Sequence, residues 1–176
     1  MFEHTSQWIS TEIPVKSCCV VSNALIETTM KELRTRSSGW RESAAIWTGD
    51  KSGAVKNVYF HHQLADDKGG PLSLELPEHA KFELYQNLAK EGQTLIALLH
   101  THPEDWVGLS WIDQQNQLSS KIGFWSIVIP NYACGDWDNE NIGFHLRAER
   151  GWIQLSNKEV NKKFIIERCE SENHRK

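Results

Sequence analysis

TLIALLHTHPEDWVGLSWID, residues 94–113, sets the architecture of this chain. Its first eight residues, Thr94 to Thr101, form a nearly unbroken apolar run. That is the pattern of a strand buried on both faces, at the middle of a sheet with helices over it. His100 and His102 close the run, and Pro103 stops it because proline has no N–H to give to a ladder. Residues i and i+2 of a strand face the same side, so both imidazoles can reach one ion. A loop over 103–109 then leads to a helix predicted over 110–120, whose first turn presents Asp113.

Elements alternate on either side of this segment. Residues 13–21 read as a strand, and Ser22 as the N-cap of a helix to about Arg36. Residues 42–48 read as a strand ending at Gly49, followed by a turn at 50–53 and a second strand over 54–62. The stretch 63–71 is a loop rich in Gly and Asp, and 72–76 a short strand. Pro77 opens a helix to about Lys90 that ends near Gly92. Downstream come a buried strand at 124–129, a loop at 131–139 and a hairpin of strands at 141–149 and 152–155. A short helix and a terminal strand finish near Glu167. The expected fold class is α/β: a single domain over 13–168, with a mixed sheet flanked by helices. A loose segment 1–12 and a polar tail 169–176 are expected on either side of it.

Bulk properties agree with one domain able to bury a core. The chain has 176 residues, 39% of them hydrophobic and 24% charged. Its net charge of -4 and pI near 6.1 leave no basic footprint, which argues against nucleic acid as a partner. No apolar run approaches the roughly 18 residues of a membrane span, and the first twelve residues lack the apolar core of a signal peptide. A cytoplasmic location is the expectation. Cys18, Cys19, Cys134 and Cys169 make no CxxC pair and read as free thiols, with Cys18 and Cys19 pointing to opposite faces.

Two neutral imidazoles and one carboxylate are a hydrolytic zinc set, because they leave a fourth position for water. Such a water needs a base and a donor for the developing oxyanion. Glu42, at the start of a strand of otherwise small or apolar residues, is the candidate base. Ser110, beside the metal loop, is the candidate oxyanion donor.

These residues carry a resemblance. The pattern HTHP, six residues, Ser110, two residues, Asp113 matches the signature of the JAMM (MPN+, JAB-domain) zinc metallopeptidases. Glu42 to Gly49, ESAAIWTG, resembles that family's glutamate strand. The likeness covers roughly residues 13–130. Its fixed letters would arise by chance in about 3 in 100,000 such sequences. It implies an α/β sandwich of the MPN/JAB, cytidine-deaminase-like kind. It implies one zinc ion held by His100, His102 and Asp113, with Glu42 as general base and Ser110 as oxyanion donor. Family members cut peptide or isopeptide bonds after the C-terminus of ubiquitin or ubiquitin-like proteins, so such a protein or its conjugates is the expected partner. The compact form and the GFWSIVIP strand at 123–130 are similar to small bacterial members beside ubiquitin-like conjugation systems, some of them in antiphage defence. Trimming of a sulfur-carrier protein to expose its Gly-Gly end, and a non-catalytic MPN scaffold, are the alternatives.

Each residue also has a plainer reading. Ser110 to Asp113 is a capping box, and Glu42 is a surface carboxylate beside Arg41. Of the 8 tryptophans, Trp106 lies in the metal loop and either meets substrate or packs over that loop. Trp111 is expected in the core, from its spacing to Leu118 and Ile122. His61, His62, His79 and His145 read as structural.

Overall fold

The computed structural model describes residues 17–60, 76–115 and 118–168. The expected segments 1–12, 63–71, 169–176 and most of 72–76, with His61, His62 and Cys169, lie outside them. Strand β1 (Cys19–Ser22) leads into helix α1 (Asn23–Ser37), where the Leu25 N–H donates to the Ser22 hydroxyl as the N-cap reading requires. Strands β2 (Ala44–Gly49) and β3 (Val55–Phe60) follow, then helix α2 (Glu78–Glu91), closed by Gly92 at φ 64°. Strand β4 (Thr94–Thr101) is the apolar run. Helix α3 (Trp111–Gln115), β5 (Trp125–Ile129), β6 (Gly143–Ala148), β7 (Gly151–Gln154), α4 (Asn157–Lys163) and β8 (Phe164–Glu167) complete the order.

Six strands form one mixed sheet in the order β3-β2-β4-β5-β6-β7, with β4 and β5 parallel and the other neighbours antiparallel. β4 is interior, as its apolar run demands. One core packs Trp47, Leu99, Ile127 and Leu146 against α1 and β8; a second packs Ile46 and Leu95 against Leu84 and Leu88 of α2. An α/β fold with a mixed sheet between helices is therefore observed.

Several expectations need correction. The expected terminal strand is present as β8, and the single sheet of the expectation is joined by a second, two-stranded one in which β8 pairs in parallel with β1. The strand expected at 42–48 begins at Ala44, so Glu42 precedes it. The helix expected over 110–120 is described only to Gln115, and Leu118 is not helical. Trp111 and Ile122 therefore do not share a helix face with buried Leu118; Trp111 is 75% exposed and Ile122 is exposed too. The loop after Pro130 contains a turn in which Asn131, Tyr132 and Ala133 all have φ between 52° and 60°. Three consecutive non-glycine residues in the left-handed region are costly and must be held by their surroundings. Here Asn131 donates to Asp105, the Tyr132 N–H donates to the His102 carbonyl at 2.8 Å, and Arg34 donates to the Ala133 carbonyl at 2.7 Å.

Candidate metal centre

The site forms where β4 runs out. His100 pairs with Ala44 of β2 on one side and with Val128 of β5 on the other, which fixes its depth in the sheet. His102 lies one residue past the strand, and its N–H donates to the Ile129 carbonyl at 2.9 Å. Both imidazoles are buried and face the same side, with their Nε2 atoms 3.1 Å apart. Asp113 reaches in from α3, placing Oδ1 3.4 Å from His100 Nε2 and Oδ2 3.5 Å from His102 Nε2. A tetrahedral zinc with bonds of about 2.0–2.1 Å separates its ligand atoms by about 3.3–3.4 Å. The Nε2–Nε2 separation and the approach of each Asp113 oxygen to one imidazole are of that order, and with one donor atom from each residue the three lie within 4.8 Å of one another, close enough to hold one metal ion. Among the described residues this is the trio whose donor atoms cluster closely enough to hold a metal.

The surroundings orient the donors. The partner of His102 Nδ1 is the Trp106 carbonyl at 2.9 Å, so Nδ1 carries the hydrogen and Nε2 keeps its lone pair for a metal. Burial alone would lower the proton affinity of His102; its bonds to Asp113 and Trp106 and the charges of Asp113 and Glu42 reverse that and raise it. Burial works against the charge of Asp113, but the His100 and His102 imidazoles beside it and its bonding with Ser110 outweigh it and hold the carboxyl well below the usual range. The acid is thus the carboxylate that a metal requires.

Ser110 caps α3 as the plainer reading has it. Its N–H donates to Asp113 Oδ2 at 2.7 Å, and its hydroxyl oxygen accepts the Asp113 N–H at 3.1 Å. The box turns Asp113 toward the histidines, and the hydroxyl hydrogen is left to donate elsewhere. Cap and metal site are one arrangement.

Continuing the register from Ala44 opposite His100, through Ser43 opposite Thr101, puts Glu42 opposite His102 on the metal face. It is half-buried. Burial pushes its carboxyl up to about 7, with the His102 charge pulling down and the Asp113 charge pushing up. A carboxyl poised there can both take and return a proton near neutral pH.

Trp106 packs over the metal site, as the plainer reading has it. One face stacks on His102, with ring centroids 5.3 Å apart and planes at 22°, yet the residue is 56% exposed. Gly108 makes room for the indole, since a Cβ there would meet its Cζ2 at 2.6 Å. Exposed Trp40, two residues from Glu42, and exposed Trp111 and Ile112, next to Asp113, stand near site residues in sequence.

His145, read as structural, is buried beside the centre. Its register partner Ser126 accepts from Nδ1 at 3.2 Å, while Nε2 is buried with no partner among the described residues. Burial pulls this imidazole down to about 4, and the charges of His100, Asp113 and His102 act on it. Nothing in the local sequence marks it, because only strand register brings β6 alongside. His79 is exposed on α2, away from any such cluster.

No protein-family model matches the chain. A protein of Sinorhizobium fredii named a probable metalloprotease is 25% identical over 134 residues, 74% of this chain and 82% of that one. A solution structure of a Desulfitobacterium hafniense protein superposes with TM-score 0.61 at 14% identity, covering 90% of this chain and 99% of that one. A Salinibacter ruber protein gives TM-score 0.51 at 12% identity, covering 86% and 92%. A JAB1/MPN domain protein of Archaeoglobus fulgidus gives 0.49 at 14%, covering 86% and 99%. With its signature residues gathered into one tripod and a relative named a probable metalloprotease, the chain resembles the JAMM (MPN+, JAB-domain) metallopeptidase family.

Proposed function

We propose that the chain is a zinc-dependent peptidase or isopeptidase that cleaves after the C-terminus of a ubiquitin-like protein. Deconjugation and precursor processing both fall within this reading, including service in a bacterial antiphage conjugation system. The observation that carries the hydrolytic part is the place of Glu42: a half-buried carboxyl that the register of β2 on β4 sets opposite His102, beside a three-donor tripod. A purely structural metal site has no use for it. The ubiquitin-like substrate is supported by the family resemblance.

His100, His102 and Asp113 would hold the zinc ion, which when bound would supply Lewis acidity to activate water near neutral pH. Glu42 accepts the proton of the attacking water and delivers it to the leaving amine, which departs only once protonated. The Ser110 hydroxyl donates to the oxyanion. The Trp106 carbonyl keeps His102 in the tautomer that coordinates, and the exposed indole face offers an apolar wall to the substrate.

The test uses a ubiquitin-like protein ending in Gly-Gly, fused through that end to a reporter. Zinc-loaded protein is expected to release the reporter, and chelator to stop it. Glu42→Ala is expected to lose roughly 10²–10⁴-fold of the rate while still binding zinc. Full activity in Glu42→Ala sinks the base assignment. A chain that takes up no zinc at micromolar metal is a scaffold. Cleavage of a sulfur-carrier fusion alone moves the substrate to the alternative.

A further inference from the structure

Behind the tripod, on the α1 side of the sheet, three buried hydroxyls meet: Ser37 at the end of α1, Ser43 just before β2, and Thr101 between the two histidines. The Ser43 N–H donates to Thr101 Oγ1 at 2.9 Å, and the Thr101 N–H donates to the Ser43 carbonyl at 3.0 Å. Ser37 Oγ lies 2.8 Å from Ser43 Oγ and 3.1 Å from Thr101 Oγ1, and the Ser43 hydroxyl donates to the Leu33 carbonyl at 2.9 Å.

Each hydroxyl has one hydrogen, so the directions follow. Ser43 spends its own on Leu33. Ser37 must then donate to Ser43, and Thr101 to Ser37. Thr101 is left to accept from the Ser43 N–H. The network closes with every member satisfied. It also replaces one bond of the ladder: facing residues of an antiparallel pair exchange two backbone bonds, and here one is diverted to a side chain. That diversion falls one residue from Glu42 and explains why β2 begins only at Ala44.

The geometry points to Thr101, with Ser43 and Ser37 behind it, as a positioning device that sets Glu42 against the metal ligands. The three side chains lie on the face opposite to Glu42, His100 and His102, so they touch neither metal nor substrate and act through the backbone. The inference rests on Glu42 being the base. It assigns the middle residue of His-Thr-His a role distinct from that of the flanking ligands: the histidines hold the ion and the threonine places the base beside it.

The experiment compares Thr101→Val, Thr101→Ser and Ser37→Ala in the full chain, loaded with zinc and assayed on the reporter fusion. Thr101→Val keeps the shape and removes the acceptor. It is expected to lower kcat by roughly tenfold to a hundredfold, the cost of a misplaced group, with KM within about twofold. Zinc binding should stay at parental stoichiometry, and the Ser43 amide should exchange with solvent about tenfold faster or more. Thr101→Ser should restore both kcat and amide protection. Ser37→Ala, a milder change if the valine variant does not fold, should give a smaller fall in kcat with KM unchanged. Parental kcat in Thr101→Val with zinc bound overturns the proposal. So does loss of zinc in step with kcat, which would make the network a brace for the ligands. If the parent cleaves nothing, the peptidase reading fails on its own, and Ser43 amide exchange still decides whether Thr101 holds that segment.

Discussion

Glu42 is the residue at which stability and chemistry pull apart. Its folded pKa of about 7 lies above its ordinary 4.5, so between these values the folded chain binds a proton that the unfolded chain has released. Stability from this group is therefore fullest below about pH 4.5 and is lost as pH rises through about 7. Glu42→Gln removes the penalty. In metal-free protein at pH 8, this variant is expected to be more stable than the parent by about 1 kcal/mol, a figure kept small because the carboxyl is only half-buried. At pH 4 the two should unfold together. Urea melts at both pH values check this, and a parent at least as stable as the variant at pH 8 contradicts it. With Glu42 as the proposed base, the same variant should retain zinc and lose hydrolysis, a trade of activity against stability.

At the scale of elements, the tripod depends on how the ligand loop lies on the sheet. Gly143 opens β6 in the register row of His100 and Val128, and a Cβ there would fall 2.0 Å from the Val107 carbonyl oxygen. The loop between His102 and Ser110 rests on that bare backbone. Gly143→Ala must push it away, at a cost of about 1–3 kcal/mol of overpacking. Because the loop carries Trp106, whose carbonyl fixes His102, zinc affinity is expected to fall by roughly tenfold or more. Zinc competition with a chromophoric chelator measures this, and parental affinity would show that the loop does not govern the site. These elements also mark how far the sequence could be read. β4, α2 and the histidine pair were legible because one apolar run and one i, i+2 spacing carry them. α3 was overextended because Trp111, Leu118 and Ile122 mimic a helical stripe across a break, and local spacing does not register where a chain turns. The left-handed turn at 131–133 left no trace, since its strain is met by Asp105, His102 and Arg34 from other parts of the chain. The hydroxyl network and the burial of His145 were equally hidden, because both exist only once strands are in register.

At the scale of the whole molecule, two apolar cores hold the sheet from opposite faces, and the metal residues sit at its end. Such a chain does not need the ion to fold: Ala45, Trp47, Leu99 and Ile127, at or near zero exposure, pack without it. Chelated protein is expected to keep its secondary structure by circular dichroism and to melt cooperatively. The ion instead adds stability by mass action, about 2.7 kcal/mol at free zinc one hundred times its Kd. For a domain of this size, each kcal/mol shifts Tm by roughly 2–4 °C, so zinc should raise Tm by roughly 5–11 °C. Asp113→Asn removes the charged third donor and should abolish that rise, while Ser110→Ala, which leaves the three donors in place, should keep most of it. Calorimetry of the three proteins with and without zinc separates the cases. A Tm indifferent to zinc in the parent would show that the tripod, for all its spacing, does not bind the ion.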